Sequence, residues 1–271
     1  MVAVLRRIAR KLYRLLRGWL LANPYEPANR NAFIALIPDT DSVLEIGPFA
    51  RPISRGQNVR YVDVLSTEDL RKRARSLGMD ETKVPTISWV SDGFDLSVVN
   101  DTFDAVVSSH AIEHQPDLVH HFNQVADLLK PNGRYYLLVP DHRYCFDHFL
   151  APSTVAQVLG AHLENRKVHM LSSVIEHRAL TTHNNSARHW AGDHGDPKEN
   201  RAARIASAVQ EINDANGTYI DVHAWYFTPQ SFGQIITDLS ATKHIPFSVQ
   251  TMFPTRPKSN EFWTILQKHA D

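Results

Sequence analysis

Residues 103–141 read FDAVVSSHAIEHQPDLVHHFNQVADLLKPNGRYYLLVPD. The β-branched, apolar run at 103–109 predicts a strand, and the stretch after it a helix running to about Leu129. Pro131-Asn132-Gly133 is a turn, and residues 134–139 form a second apolar run that Pro140 stops, leaving Asp141 at its carboxyl end. Strand, helix, turn and strand in this order build a parallel sheet with crossover helices.

Working outward, the same alternation continues on both sides. Upstream, residues 42–46 (SVLEI), 59–64 (VRYVDV) and 87–90 (ISWV) read as strands, ending near Gly47, Asp63 and Ser91-Asp92-Gly93. Ser66-Thr67-Glu68-Asp69 predicts a helix start, with a side-chain cap and acids in the first turn. Downstream, Thr228-Pro229 opens a helix to about Leu239, with proline at the favoured first turn, and residues 247–253 and 261–267 are strand-like. The expected fold is α/β, a Rossmann-like doubly wound sheet. In such sheets ligands bind beyond the carboxyl ends of the strands. Glu45, Gly47, Asp63, Asp92, His110 and Asp141 all fall near such ends.

A dinucleotide site needs G-x-G-x-x-G, so that backbone and helix N-terminus can cradle a pyrophosphate. Here only Gly47 is present in EIGPFARP (45–52), and Pro48 and Pro52 oppose a long helix. A cofactor carrying a ribose and an amino acid but no phosphate needs no such cradle. S-adenosylmethionine is one, and its cationic groups suit a site containing carboxylates. Asp63, sixteen residues after Gly47, stands roughly where an acid meets ribose in nucleotide-binding folds.

On VLEIGPF (43–49), YVD (61–63), SDG (91–93), FDAVVSSHAIEHQPD (103–117) and LLKPNGRYYLLVPD (128–141), the chain resembles the class I S-adenosylmethionine-dependent methyltransferases of the type 11-like group. The second and third glycines of the cofactor loop are missing and its helix is stunted. The resemblance implies a C-terminal antiparallel strand pair closing the parallel sheet. It also implies Glu45, Gly47 and Pro48 near the methionine end of the cofactor, Asp63 on the ribose, and Asp92 with Gly93 at the adenine edge. Ser109 and His110 would face the methyl group, and S-adenosylhomocysteine would be the product.

Residues 142–225 show no strand alternation, and the resemblance implies a helical and loop insertion acting as a substrate lid within a methyltransferase domain spanning 31–271. Nine of the fifteen histidines fall there, and a lid of His, Asp, Asn and aromatics suits an uncharged, hydroxyl-bearing substrate. Methyl transfer to a hydroxyl also needs a proton acceptor, and histidine titrates near working pH. The candidate base is His110 or His114, with Asp141 and His142 orienting acceptor or base and His223 in reserve. An Asn/Asp-Pro-Pro-aromatic stretch of nitrogen methyltransferases is absent after 103–109, which favours O-methylation. His110, Glu113 and His114 have i, i+3, i+4 spacing and could bind a divalent metal. Similar stretches carry metal ligands in ubiquinone O-methyltransferases and small-RNA 2′-O-methyltransferases. Here the first position is His rather than Glu, and many members with E-H-x-x-D bind none. The expectation is no metal.

Lys+Arg and Asp+Glu balance at 29 each, which argues against disorder and against a protein that coats nucleic acid. The single cysteine, Cys145, excludes an intrachain disulfide and a Cys-rich zinc module. No apolar run reaches 18 residues. Residues 1–22 (MVAVLRRIARKLYRLLRGWLLA) wind into a basic amphipathic helix, and residues up to 30 link it onward. That helix either lies on an anionic membrane surface or a partner, or packs on its own domain. VLEIGPFARP (43–52), YVDVLST (61–67), SHAIEHQPDL (109–118), VPDHRYCFDHF (139–149) and HAWYFTP (223–229) resemble bacterial methyltransferases found beside glycosyltransferases in surface-polysaccharide pathways. This implies a sugar hydroxyl of a glycan or its precursor as acceptor. It also implies a cytoplasmic enzyme, or one peripheral on the inner face of the cytoplasmic membrane, touching membrane or glycosyltransferase through residues 1–22. The alternatives are a methyltransferase of a small phenolic or lipid-like metabolite, and a non-catalytic partner of a glycosyltransferase.

Overall fold

The computed structural model describes residues 26–270, so the expected helix at 1–22 lies outside the described residues. Contacts divide the chain into Met1–Leu36 and Ile37–Asp271. In the first unit, α1 (Arg30–Ile34) is capped by Asn29, whose side chain accepts from Ala32 N at 2.9 Å.

The second unit is built on seven strands in the order β3-β2-β1-β4-β5-β7-β6. These are β1 (Val43–Ile46), β2 (Val59–Asp63), β3 (Trp89–Val90), β4 (Phe103–Ser109), β5 (Leu129–Pro140), β6 (Phe247–Phe253) and β7 (Glu261–Lys268). The first five pair in parallel, whereas β7 runs antiparallel to both β5 and β6. The expected doubly wound sheet with its reversed C-terminal pair is what the chain forms. β5 begins earlier than the apolar run, at Leu129, with a register break: Leu129 faces Phe103, Arg134 faces Ala105, and the Pro131–Gly133 turn is looped out. Central strands carry near-continuous apolar residues because both faces are covered. Leu44, Val106, Phe122, Tyr135, Leu137 and Phe262 are fully buried in one cluster.

No helix separates β1 from β2. Pro48 and Pro52 supply no backbone donors there, and the Glu45 carboxylate takes two others, from Ile53 N at 2.9 Å and Ser54 N at 2.8 Å. The crossovers from β2 to β3 and from β4 to β5 are helical, whereas residues 91–102 join β3 to β4 without a helix. α2 (Thr67–Ser76) starts at Ser66, whose hydroxyl accepts from Asp69 N. α3 (Leu118–Leu128) starts at Asp117, which accepts from His120 N.

The insertion contributes α4 (Val155–Leu163), α5 (Leu171–Leu180), α6 (Ser186–Trp190) and α7 (Arg201–Ala215), before α8 (Pro229–Ala241) resumes the common pattern. α5 and α7 are joined by a bidentate pair in which Arg178 donates to both oxygens of Glu211 at 2.9 Å. The two ends of the insertion meet: His142 N donates to Phe227 O at 2.9 Å, and Ser153 N to Tyr226 O at 2.9 Å. Further back, Ala224 N donates to Glu113 O at 2.9 Å. These bonds lay the end of the insertion along the turn that follows β4.

Candidate active site

A cavity of about 880 Å³ opens beyond the carboxyl ends of β1 to β4. Gly47, Asp63, Asp92 and Gly93 line it from the strand ends, and Ala111, His114 and Gln115 from the turn after β4. His120 and His121 of α3 add to the wall, and the insertion supplies Lys167, Tyr219 and Asp221. Of the expected cofactor residues, Glu45, Pro48, Ser109 and His110 are not in this lining; of the expected catalytic ones, only His114 is.

The cofactor-side wall is shaped by backbone. Gly47 has φ +68°, and a Cβ there would meet no atom within 4 Å, so the space beside it is open. Phe49, although not glycine, has φ +43°, and its N–H donates to Asp63 Oδ2 at 3.1 Å while Val64 N–H donates to Oδ1 at 2.7 Å. Burial pushes the Asp63 carboxyl above its ordinary range, against those hydrogen bonds and nearby Arg73. Asp92 Oδ1 accepts from Phe94 N at 2.9 Å and Asp95 N at 2.7 Å, and Ser91 Oγ accepts from Gly93 N at 2.8 Å. These bonds define the turn at 91–95, and the Phe94 ring stacks on His120, with centroids 4.5 Å apart and planes at 16°. An open glycine edge, a buried carboxylate and a flat aromatic wall in one cavity fit an amino acid, a ribose and a purine. Glu45 serves the loop instead: with both oxygens on backbone N–H groups, it is buried, and burial pushes its carboxyl up to about 7.

The turn after β4 holds the denser chemistry. His110 has φ +52°, a left-handed conformation that costs a non-glycine residue about 1–2 kcal/mol, and it turns the chain into a 3₁₀ turn at Ile112–His114. Glu113 is completely buried, and neither carboxylate oxygen has a hydrogen-bond partner. Its Oε1 lies 3.7 Å from His110 Nδ1, 4.0 Å from His114 Nε2 and 3.8 Å from His223 Nε2. The other nitrogen of each ring faces a carboxylate: His110 Nε2 to Glu261 Oε2 at 2.7 Å, His114 Nδ1 to Asp221 Oδ1 at 2.8 Å, and His223 Nδ1 to Asp147 Oδ2 at 2.6 Å. Burial opposes the charged form of His114, but the hydrogen bond to Asp221 and the carboxylates of Glu113, Asp221 and Asp147 raise its pKa above the ordinary imidazole value. The hydrogen bond to His114 in turn holds Asp221 down at about 2.

Asp141 and His142, expected to orient acceptor or base, do not line the cavity, and the Asp141 carboxylate is committed elsewhere. Asp141 is buried and accepts from Arg143 Nε at 2.9 Å, Arg143 Nη2 at 2.6 Å and the Thr255 hydroxyl at 2.5 Å. His142 is buried, and burial lowers its pKa. For Asp141 the expectation is corrected to an anchor that fixes the start of the insertion. His223, read as a reserve, belongs with His110 and His114. Asp147, Asp221 and Glu261 were missed by sequence reasoning. The spacing of D-x-H at 221–223 is the only local signal for Asp221, and nothing in sequence joins Glu261 to His110, 151 residues away.

A family model described as a methyltransferase domain matches residues 9–236. No curated protein matches the sequence significantly. Among solved structures, the chain is similar to the CcbJ methyltransferase from Streptomyces caelestis, at 12% identity and TM-score 0.46, covering 89% of this chain and 94% of that one. A S-adenosylmethionine-dependent methyltransferase from Clostridium acetobutylicum shares 11% identity at TM-score 0.46, covering 97% of this chain and all of the other. A possible histamine N-methyltransferase from Thermotoga maritima shares 12% identity at TM-score 0.43, covering 97% and 98%. Likenesses this distant decide neither acceptor nor residue roles.

Proposed function

The chain belongs to the methyltransferase-domain family and is a class I S-adenosylmethionine-dependent methyltransferase, and from that premise we propose that it methylates a sugar hydroxyl of a bacterial glycan or glycan precursor. One observation carries the reading: the same cavity is lined by Gly47, Asp63 and Asp92 from the strand ends and by Lys167, Tyr219 and Asp221 from the insertion. Cofactor and acceptor would share one space, and the insertion covers its acceptor side with hydrogen-bonding groups rather than apolar ones. Those three groups, added to a cavity whose other lining is largely apolar, are what supports a polyhydroxyl acceptor.

When bound, the cofactor supplies an electrophilic methyl on a sulfonium centre. Gly47 would leave its methionine end room, Asp63 would accept from the ribose hydroxyls, and Asp92 would present an acceptor to the adenine amine. As the acceptor oxygen gains the methyl, its proton must leave, and the group around Glu113 is where it goes. Within that group, His114 lines the cavity and is held through Nδ1 by Asp221, which leaves Nε2, beside Glu113, as the nitrogen to take the proton. Holding the acceptor oxygen in line with the methyl group is the other contribution, made by the polar lining of the insertion.

Residues 1–22 are read as a basic face that sets the enzyme on the inner surface of the cytoplasmic membrane or beside a glycosyltransferase. No helix among the described residues is long and apolar enough to cross a membrane. The reading is tested by following methyl release from the cofactor across a panel of free sugars, glycan termini, catechols and lipid headgroups. Turnover on a sugar hydroxyl is expected. Turnover confined to phenols would overturn the acceptor class, and an absence of cofactor binding by calorimetry would overturn the enzyme.

A further inference from the structure

We propose that Glu113, His114 and His223 bind a divalent transition-metal ion at the acceptor end of the cavity, with His110 beside it. The inference deepens the functional reading and rests on it for the ion's role, though not for its binding.

The argument begins with Glu113. A carboxylate wholly withdrawn from water, with neither oxygen hydrogen-bonded, is unfavourable unless something positive meets it. What surrounds it are imidazole nitrogens at 3.7–4.0 Å, beyond the 2.7–2.9 Å of a charged hydrogen bond. No shared proton bridges those gaps. The back of each ring explains why. His114 Nδ1 and His223 Nδ1 each donate to a carboxylate, at 2.8 and 2.6 Å, which places the hydrogen there and leaves a lone pair on Nε2. In the neutral rings the lone pairs of two Nε2 atoms therefore lie around Glu113 Oε1 with no donor between them. A cation satisfies all of them at once. Glu113 Oε1 lies 4.0 and 3.8 Å from the two ring nitrogens, a few tenths of an ångström wider than the ~3.4 Å between tetrahedral ligands of one ion held at about 2.1 Å, a gap that small side-chain rotations close.

The rest of the arrangement matches a metal centre. Histidine ligands characteristically donate their second nitrogen to a carboxylate, which fixes the tautomer and raises ligand basicity. Here Asp221, Asp147 and, for His110, Glu261 stand in that position. The His114 and His223 rings are nearly perpendicular, at 86°, so their in-plane lone pairs can meet at a point. A second grouping, His148, His189 and His194, fails this criterion. Its His148 and His194 rings stack with centroids 3.5 Å apart and planes at 7°, so their lone pairs run side by side. Imidazole with carboxylate suits Zn²⁺ and its neighbours rather than Mg²⁺ or Ca²⁺. Because His114 also lines the cavity, an ion held there would lie at its wall, and the chemistry it would supply is polarisation of an acceptor hydroxyl toward loss of its proton. The role of His114 then becomes that of a ligand.

The test is calorimetric titration of the chelator-treated full chain with ZnCl₂, without cofactor or acceptor, alongside a separate titration with S-adenosylmethionine. The expected result is one Zn²⁺ per chain, affinity falling by at least roughly a hundredfold in Glu113→Gln and His223→Ala, and unchanged affinity in His194→Ala. No saturable zinc binding in the wild type, or binding that survives Glu113→Gln, overturns the proposal. A chain that binds S-adenosylmethionine but no zinc sinks the metal alone; one that binds neither sinks the functional reading too. Should Glu113→Gln not fold, Asp221→Asn decides, since it changes an exposed carboxylate behind His114. Roughly a tenfold loss of zinc affinity is expected there, and none would overturn the proposal.

Discussion

His223 Nδ1 lies 2.6 Å from Asp147 Oδ2, with both side chains buried and the two residues 76 positions apart. The pair ties the first turn of the insertion to its last. Removing one member of a buried pair leaves the other without its counterpart, at a cost of about 3–5 kcal/mol. Asp147→Ala should therefore lose about that much unfolding free energy in urea, measured with chelator present so that any metal contribution is absent. A loss below 1 kcal/mol would show the pair to be dispensable for folding.

Asp63 is expected to bind the cofactor's ribose. Its carboxylate lines the cavity and is held in place by Phe49 N–H and Val64 N–H. Asp63→Ala should weaken S-adenosylmethionine binding by about 1–3 kcal/mol, the range for losing a buried acceptor. Unchanged affinity by calorimetry would remove the ribose assignment.

Glu45 makes a pH-dependent contribution of defined sign. Burial raises its carboxyl from 4.5 to about 7, so the folded chain holds a proton that the unfolded chain has released. The associated stability is complete below pH about 4.5 and lost as pH rises through about 7. Unfolding free energies of wild type and Glu45→Gln should therefore converge or cross in relative terms between pH 5 and pH 8, with the wild type losing ground. A difference between the two proteins that is the same at both pH values would contradict the assignment.

His114 stands both in the cavity wall and beside Glu113. His114→Ala should lower turnover by roughly 10²–10⁴ while leaving cofactor affinity nearly intact. Chelation of the wild type should produce a comparable loss, restored by added divalent ion; the variant should not respond to the ion. Full activity after exhaustive chelation would return His114 to the part of a simple proton acceptor.

For residues 1–22, the basic and apolar faces predict that the full chain floats with anionic liposomes at low salt and partly dissociates as salt screens the charge. Equal flotation after deleting these residues would show that they are not the anchor.

Much of the fold was legible because its signals are local. The runs at 103–109 and 134–139, the turn at Pro131–Gly133, the cap at Ser66 and the Thr228-Pro229 helix start each depend on a few neighbouring residues, and each corresponds to an element of the sheet or its helices. The prolines at 48 and 52 likewise account, from sequence alone, for the helix missing after β1. Positions at strand ends follow from those same signals, and so Gly47, Asp63, Asp92 and Gly93 were found where the cavity has them.

Side-chain direction and long-range partnership were not legible. Glu45 and Asp141 sit at strand ends as expected, but which way a carboxylate turns depends on backbone N–H groups and an arginine that only the folded loops bring near. The group around Glu113 draws on His110 and His114 from one turn, Asp147 and His223 from opposite ends of the insertion, and Glu261 from β7. No periodicity links those positions. What joins them is the return of residues 223–227 along the turn after β4, held by Ala224 N–H on the Glu113 carbonyl, and the antiparallel register that sets Glu261 opposite Pro140. The sequence alone determined the sheet and the place where a ligand meets it, because those follow from local pattern. Tertiary packing alone decided which carboxylates face which imidazoles, because that depends on contacts between positions 76 to 151 apart in the chain.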